Sequence, residues 1–278
     1  MFKILRLKFK SWSTNPMIYL GFFLGMSFSL TDTLEIARTS KRTGEWICMM
    51  EPTVVAGSSA WQSLFLLLGV LMILSDSPFI NELTPAVVLR TSRKRWFAAQ
   101  IGYIWAVCAL YYLFIAIFSM LICMPYAYPE NVWSHLLYAV ANGELYGTEI
   151  EFSNVAFLRA NPPFYAFAIT ICFQITYAAT LELILFFINT RAFRSGGLCI
   201  VMLIHVLGYV LFLESLTGIR KFSLLLHALP AMHGTTYCFG IRFAPTIIES
   251  GVLFLLIDTS LTAALILSAK RFDFISKD

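Results

Sequence analysis

Six stretches of the chain are apolar for long enough to cross a lipid bilayer, and no other feature restricts its fold as much. About 20 apolar residues cover the hydrocarbon core as a helix. The stretches run from Met17 to Leu34, Val54 to Leu74, Phe97 to Cys123, Phe164 to Ile188, Gly197 to Leu213 and Glu249 to Ala269. Lipid offers no partner to an open backbone N–H or C=O, so segments this long and this rich in Leu, Ile, Phe and Ala read as helices. The chain is 59% hydrophobic and 13% charged, against about 25% charged in a soluble domain. The expectation is an all-α membrane protein: one domain over residues 1–278 with six transmembrane helices and neither repeat nor linker.

Lysine and arginine set the orientation. With the N-terminus inside, 13 basic residues fall on inner segments and 7 on outer ones. The positive-inside rule then places both termini in the cytoplasm, in a multi-pass protein of the plasma membrane. Arg38, Lys41 and Arg42 run against the rule, among Glu35, Glu45 and Glu51. The net charge of +4 gives no nucleic-acid signal.

The first span lacks a small-residue cleavage site behind it and reads as a retained helix. Ahead of it, in MFKILRLKFKSW, the residues Phe2, Leu5, Phe9 and Trp12 recur at helical spacing, with Lys3, Arg6 and Lys10 off that face. Residues 1–15 are therefore expected to form a helix in the inner interface, ending before Pro16. Two outer loops are long, Met124 to Pro163 and Thr217 to Pro245. The second contains FSLLLHALP, apolar but too short to cross, which reads as an interfacial or re-entrant segment.

Sequence motifs exclude several chemistries. There is no GxxxxGK[ST] loop for ATP, no HExxH, no GxSxG and no paired Cys/His cluster for a metal. Cys108, Cys172 and Cys199 sit in apolar runs as small hydrophobes. Cys48 and Cys238 lie in outer segments, where a disulfide between them stays open. His205, inside the fifth span, reads as a packed or interhelical hydrogen-bonding group. His227 and His233 share an outer loop with Tyr237 and Cys238.

Carboxylates at membrane depth are costly and face a bundle interior or water. Glu182 lies in the fourth span and Asp258 in the sixth. Gln174 and Thr170 fall on roughly the same helical side as Glu182. Gln174, Glu182 and Asp258 are candidates for a polar pathway or subunit seam; the competing reading is interhelical hydrogen bonding that fixes packing. Glu214 and Glu249 read as interface exposure.

The inner loop between the second and third spans has the clearest local grammar. Asp76, Ser77 and Pro78 stop the span. Thr84 can cap a short helix with Pro85 at its first position, and Ala86 to Leu89 continue it. Ser92 can cap the next helix, so that Arg93, Lys94 and Arg95 begin the extension of the third span. The positive-inside rule explains the arginines but not the capped apolar turn PAVVL.

The interfacial N-terminal helix, six spans, inner termini and short helix between spans two and three together resemble the permease subunit of the type-2 ABC exporter family. MILSDSPFINELTPAVVLRTSRKRWFAAQIGYI looks like a recurrent stretch in small Gram-positive bacterial membrane proteins of this kind. In that family the short helix is a coupling helix seated in a groove of a separate ATPase subunit, and a re-entrant segment separates spans five and six. The resemblance implies that Thr84, Pro85, Val88, Leu89, Arg90, Arg93, Lys94 and Arg95 form an ATPase-docking region. It also implies an ABC ATPase partner that binds ATP and Mg, a homodimer or sister permease, membrane lipid around the spans, and an amphipathic cargo such as a peptide, antibiotic or lipid. No residue of this chain would then do catalytic chemistry. Two other readings stand beside it. One is a non-transporting immunity or sensory protein of the same fold. The other is an intramembrane enzyme using Glu182, His205, Glu214 and Asp258.

Overall fold

A computed structural model describes residues 2–79, 88, 90–145, 147–150, 152, 154–191, 196–213, 220–233, 237–238, 241–242 and 245–270. The described chain is helical almost throughout. Its helices are α1 (Phe2–Lys10), α2 (Pro16–Thr43), α3 (Glu51–Ala56), α4 (Ala60–Leu74), α5 (Arg93–Cys123), α6 (His135–Ala141), α7 (Val155–Ala160), α8 (Pro163–Asn189), α9 (Gly196–Leu213), α10 (Leu224–His227) and α11 (Ile247–Ser268). Two short ladders are added. Strand β1 (Ile47–Cys48) pairs in parallel with β2 (Ala127–Tyr128), and β3 (Tyr237–Cys238) pairs antiparallel with β4 (Ile241–Arg242).

Among the described residues five helices, α2, α5, α8, α9 and α11, are long and apolar enough to cross a membrane. This makes the chain a multi-pass all-α membrane protein by length and composition. The expected second span differs. It is broken at residues 57–59, leaving α4 with 15 residues, about 22 Å of helix against a core of about 30 Å. The break has one local cause and one distant one. Ser59 caps α4 by accepting from the Gln62 N–H at 3.3 Å. At Gly57 a Cβ would sit 2.2 Å from Thr170 Cγ2, so only glycine lets α8 come this close.

The first span is longer than expected, running to Thr43 rather than Leu34. Asn15 caps it, accepting from the Met17 N–H at 3.0 Å, and Gly44 ends it at φ 73°. Its 28 residues span about 42 Å and outrun the hydrocarbon core.

Helix α8 is the axis of the bundle: 61% of its apolar window is buried, against 22% for α9 and α11. It packs on α5, α9, α11 and both halves of the broken span. Helix α2 lies against α4 and α5. The contact is close because Gly25 and Gly69 flank the Tyr111 hydroxyl; a Cβ at either would lie 2.1 or 2.2 Å from it. Tyr111 donates that hydroxyl to Leu66 O at 2.8 Å.

The two ends of the bundle are built differently. At one end α1 rests on α5, with the Trp12 indole donating to Tyr103 Oη at 2.8 Å. Asn189 joins three elements there, donating to Ser77 O at 2.6 Å and accepting from Gly197 N at 3.0 Å. Leu5, Phe9 and Trp12 pack on the protein core, so this apolar stripe faces protein where the sequence pattern pointed to the membrane interface. Burial pushes the Lys8 ammonium down to about 7, and its Nζ stands 4.1 Å from the Phe79 ring centre.

At the other end the loops that the charge pattern assigns to the outside build a second core, the outer lobe. Ile36, Ile47, Val54, Trp133, Leu137 and Phe157 are buried together. Glu51 is at its centre, 1% exposed, and accepts from Ser134 N at 2.7 Å and Ser134 Oγ at 2.8 Å. Burial pushes its carboxyl up to about 7, against the opposing pull of hydrogen bonds from Ser134 and Cys48. Cys48 is a free buried thiol, so no disulfide joins it to Cys238. FSLLLHALP forms α10 and a short turn at Pro230–Met232 and packs against α8 and α9.

Candidate functional site

A groove of about 680 Å³ lies between α5, α8 and α11. That volume is within the ordinary range of small-molecule sites, about 300–1,000 Å³. Trp105, Phe173 and Phe254 supply aromatic walls, and Asp258 lies among them. Positions Gly251, Leu255, Asp258, Thr262 and Ile266 of α11 line it at steps of three and four residues, one face of a helix. Leu255 is 64% exposed, so the groove is open along its side.

Asp258 is 9% exposed. The Thr180 hydroxyl stands 2.8 Å from both its Oδ1 and Thr176 O, one proton shared between two acceptors. Among the described residues no basic side chain bridges to it. Thr176 and Thr259, which also line the groove, donate their hydroxyl protons backwards, to Cys172 O and Leu255 O, each at 2.7 Å. A hydroxyl that bonds its own helix in this way presents only acceptor lone pairs outward.

Gln174 does not reach this groove. It is six residues from Thr180, hence about 120° away around α8. Its Nε2 donates to Ser63 Oγ at 2.9 Å and Gly57 O at 3.2 Å, bracing the break before α4. Among the described residues its Oε1 has no partner, and neither have Thr53 Oγ1, Tyr112 Oη or Thr170 Oγ1. All four residues line one internal cavity of about 30 Å³, a space of water size.

Glu182 is fully buried, and neither carboxyl oxygen has a hydrogen-bond partner among the described residues. Gln100, which the sequence pattern did not single out, is buried in the same condition. The rings of Phe97 and Phe186 stack at 5.3 Å. Gln100 is one turn further along α5, about 4.5 Å, and Glu182 one turn back along α8, about 6 Å. Both are buried polar groups on the two helices that this ring pair joins. Gln174, Glu182 and Asp258 thus occupy three separate environments.

Three of the four histidines bond to protein. The Nε2 of His205 lies 3.0 Å from Leu64 O and its Nδ1 2.6 Å from Tyr177 Oη. A carbonyl only accepts, so Nε2 is assigned the proton and Nδ1 accepts from Tyr177. His227 and His233 hold Lys221 O and Leu226 O at 3.1 and 3.2 Å. Among the described residues no three of His, Cys, Asp and Glu come together as a metal site. Glu249 closes a capping box with Thr246 at the start of α11, which gives it a structural task. Glu214 lies outside the described residues.

At the basic loop, Ser92 caps α5 as its spacing indicates, accepting from Arg95 N at 3.3 Å. Arg93, Lys94 and Arg95 are exposed while the next residue, Trp96, is buried. Arg93 donates to Lys270 O at 2.9 Å, tying this loop to the end of α11. Arg90 is exposed and Val88 packs against the core. Thr84, Pro85 and Leu89, and with them the body of the expected short helix, lie outside the described residues. No family model, curated protein or solved structure matches the chain.

Proposed function

We propose that this chain is the membrane-spanning subunit of an ATP-driven exporter of the type-2 ABC class, moving an amphipathic cargo while a separate subunit hydrolyses ATP. The observation that carries the reading is the side-open apolar groove with one acidic group in its wall. An amphipathic molecule needs a surface that takes its chain together with a polar point that fixes its head. The chain has no phosphate-binding loop of its own, so the energy must come from a partner. The exposed Arg93–Lys94–Arg95 rim, bonded through Arg93 to the end of α11, offers that partner a charged contact. Since α11 also walls the groove, force applied at the rim has a short covalent and hydrogen-bonded route to the cargo. A second copy or a sister permease would complete the translocation path, with cavity access switching as the ATPase closes.

The test is reconstitution. The chain and its ATPase are placed in vesicles with a fluorescent amphipathic peptide or lipid, and ATP-dependent movement is followed. Movement that requires both subunits supports the proposal. ATP hydrolysis without movement of any amphipath assigns a sensory or immunity role instead.

A further inference from the structure

We propose that the groove between α5, α8 and α11 selects a lipophilic cation, a molecule with one ammonium-type head on an apolar body, and that Asp258 is its counter-charge. The inference rests on reading this groove as the cargo site and names the chemical class of the cargo.

Three observations converge on a cation. First, Asp258 stands in an apolar wall at membrane depth, bonded to a neutral hydroxyl, Thr180, with no basic side chain among the described residues bridging to it. A carboxylate there is costly until an opposite charge arrives. Second, the hydroxyls of Thr176 and Thr259 spend their protons on their own helices, to Cys172 O and Leu255 O. They add acceptors beside the carboxylate and no donor. An anionic head would meet the Asp258 carboxylate and these lone pairs, whereas an ammonium head carries only donors; the donors of the groove, the Thr262 hydroxyl and the Trp105 indole N–H, belong to other residues of the lining. Third, the rings of Trp105, Phe173 and Phe254 line the same space. Aromatic faces attract cations and bury alkyl chains equally well. The side opening at Leu255, 64% exposed, lets a chain remain in contact with lipid while the head reaches Asp258.

Trp105 supplies the assay, because it lines the groove. The purified chain in zwitterionic nanodiscs is titrated with dibrominated dodecylammonium, and tryptophan quenching is read against a Trp105→Phe control. The dibrominated dodecanol of equal length serves as the neutral probe and dodecyl sulfate as the anionic competitor. A hydrogen bond to a charged group is strong enough that the ammonium should bind at least about tenfold more tightly than the alcohol. Asp258→Asn should remove that preference and leave alcohol binding unchanged. Ala263→Phe, which narrows the groove without adding a tryptophan, should weaken both probes. Equal binding of ammonium and alcohol by the wild-type protein overturns the inference without any variant. So does an equal loss of both probes in Asp258→Asn, or displacement of the ammonium by the sulfate at lower concentration. The assay needs no ATPase. A chain that selects the cation but never engages an ATPase keeps this inference and loses the exporter reading; one that engages an ATPase but ignores the cation does the reverse.

Discussion

Glu51 makes the stability of the outer lobe depend on pH, and the sign follows from its burial. The native carboxyl keeps its proton up to about pH 7, against an ordinary value of 4.5. Between those values the folded lobe binds more protons than the unfolded chain, so stability falls as pH rises. The contribution is fully present below pH 4.5 and is lost by the time pH has passed 7. A gap of about 2.5 pKa units corresponds to about 3 kcal/mol, or roughly two orders of magnitude in the opening equilibrium. The assay is limited proteolysis of the outer loops in detergent between pH 5 and pH 8, with cleavage rates corrected for the protease's own pH response on an unfolded substrate. The neutral variant Glu51→Gln keeps an acceptor for the Ser134 N–H and carries no charge to bury. It should flatten the pH response and protect the lobe at pH 8. A wild-type lobe equally resistant at both pH values, or an unchanged slope in Glu51→Gln, would refute the reasoning.

Other expectations follow from the bundle and its rim. Gly25→Ala places a Cβ within 2.1 Å of the Tyr111 hydroxyl, and overpacking of this kind costs about 1–3 kcal/mol; thermal unfolding should show the loss, and adding Tyr111→Phe should recover part of it. Gln174→Leu removes the donor held by Ser63 and Gly57. Stranding those buried acceptors should cost about 2 kcal/mol, seen as a lower melting temperature in detergent with α4 exchanging amide hydrogens faster. Single reversals Arg93→Glu, Lys94→Glu and Arg95→Glu should leave membrane insertion intact and weaken ATPase association and coupled ATP turnover. If turnover is unchanged, the cluster serves topology alone.

Local signals were legible in the sequence and long-range ones were not. The Ser92 cap could be read because a cap needs only its own next three residues. Helices α5, α8, α9 and α11 begin and end close to their apolar runs for the same reason. The broken second span was harder: hydropathy averages over Gly57, Ser58 and Ser59, and the contact that holds position 57 to glycine is with Thr170, more than a hundred residues away. Glu51 looked like one of several charges balancing Arg38, Lys41 and Arg42. Its role depends on Ser134, brought to it by loop folding that no periodicity reveals. The outer core as a whole is built from such pairings, β1 with β2 among them. Two further local signals lie in the sequence. Gly21, Gly25 and Ser29 recur every four residues, the small-residue spacing of close helix packing. Gln100 was a polar residue within an apolar run. The candidate site divides similarly: Asp258 announced itself by its cost in a membrane, whereas the acceptor-only threonines around it became visible only with the hydrogen bonds.

The most direct test of the proposed function is isolation of the tagged chain from its own membranes in mild detergent, followed by measurement of ATP hydrolysis in the purified complex. The exporter reading predicts a near-stoichiometric subunit carrying a phosphate-binding loop, with hydrolysis that falls in the Arg93→Glu, Lys94→Glu and Arg95→Glu variants. A chain that purifies without such a subunit, with no ATP hydrolysis above background, contradicts it.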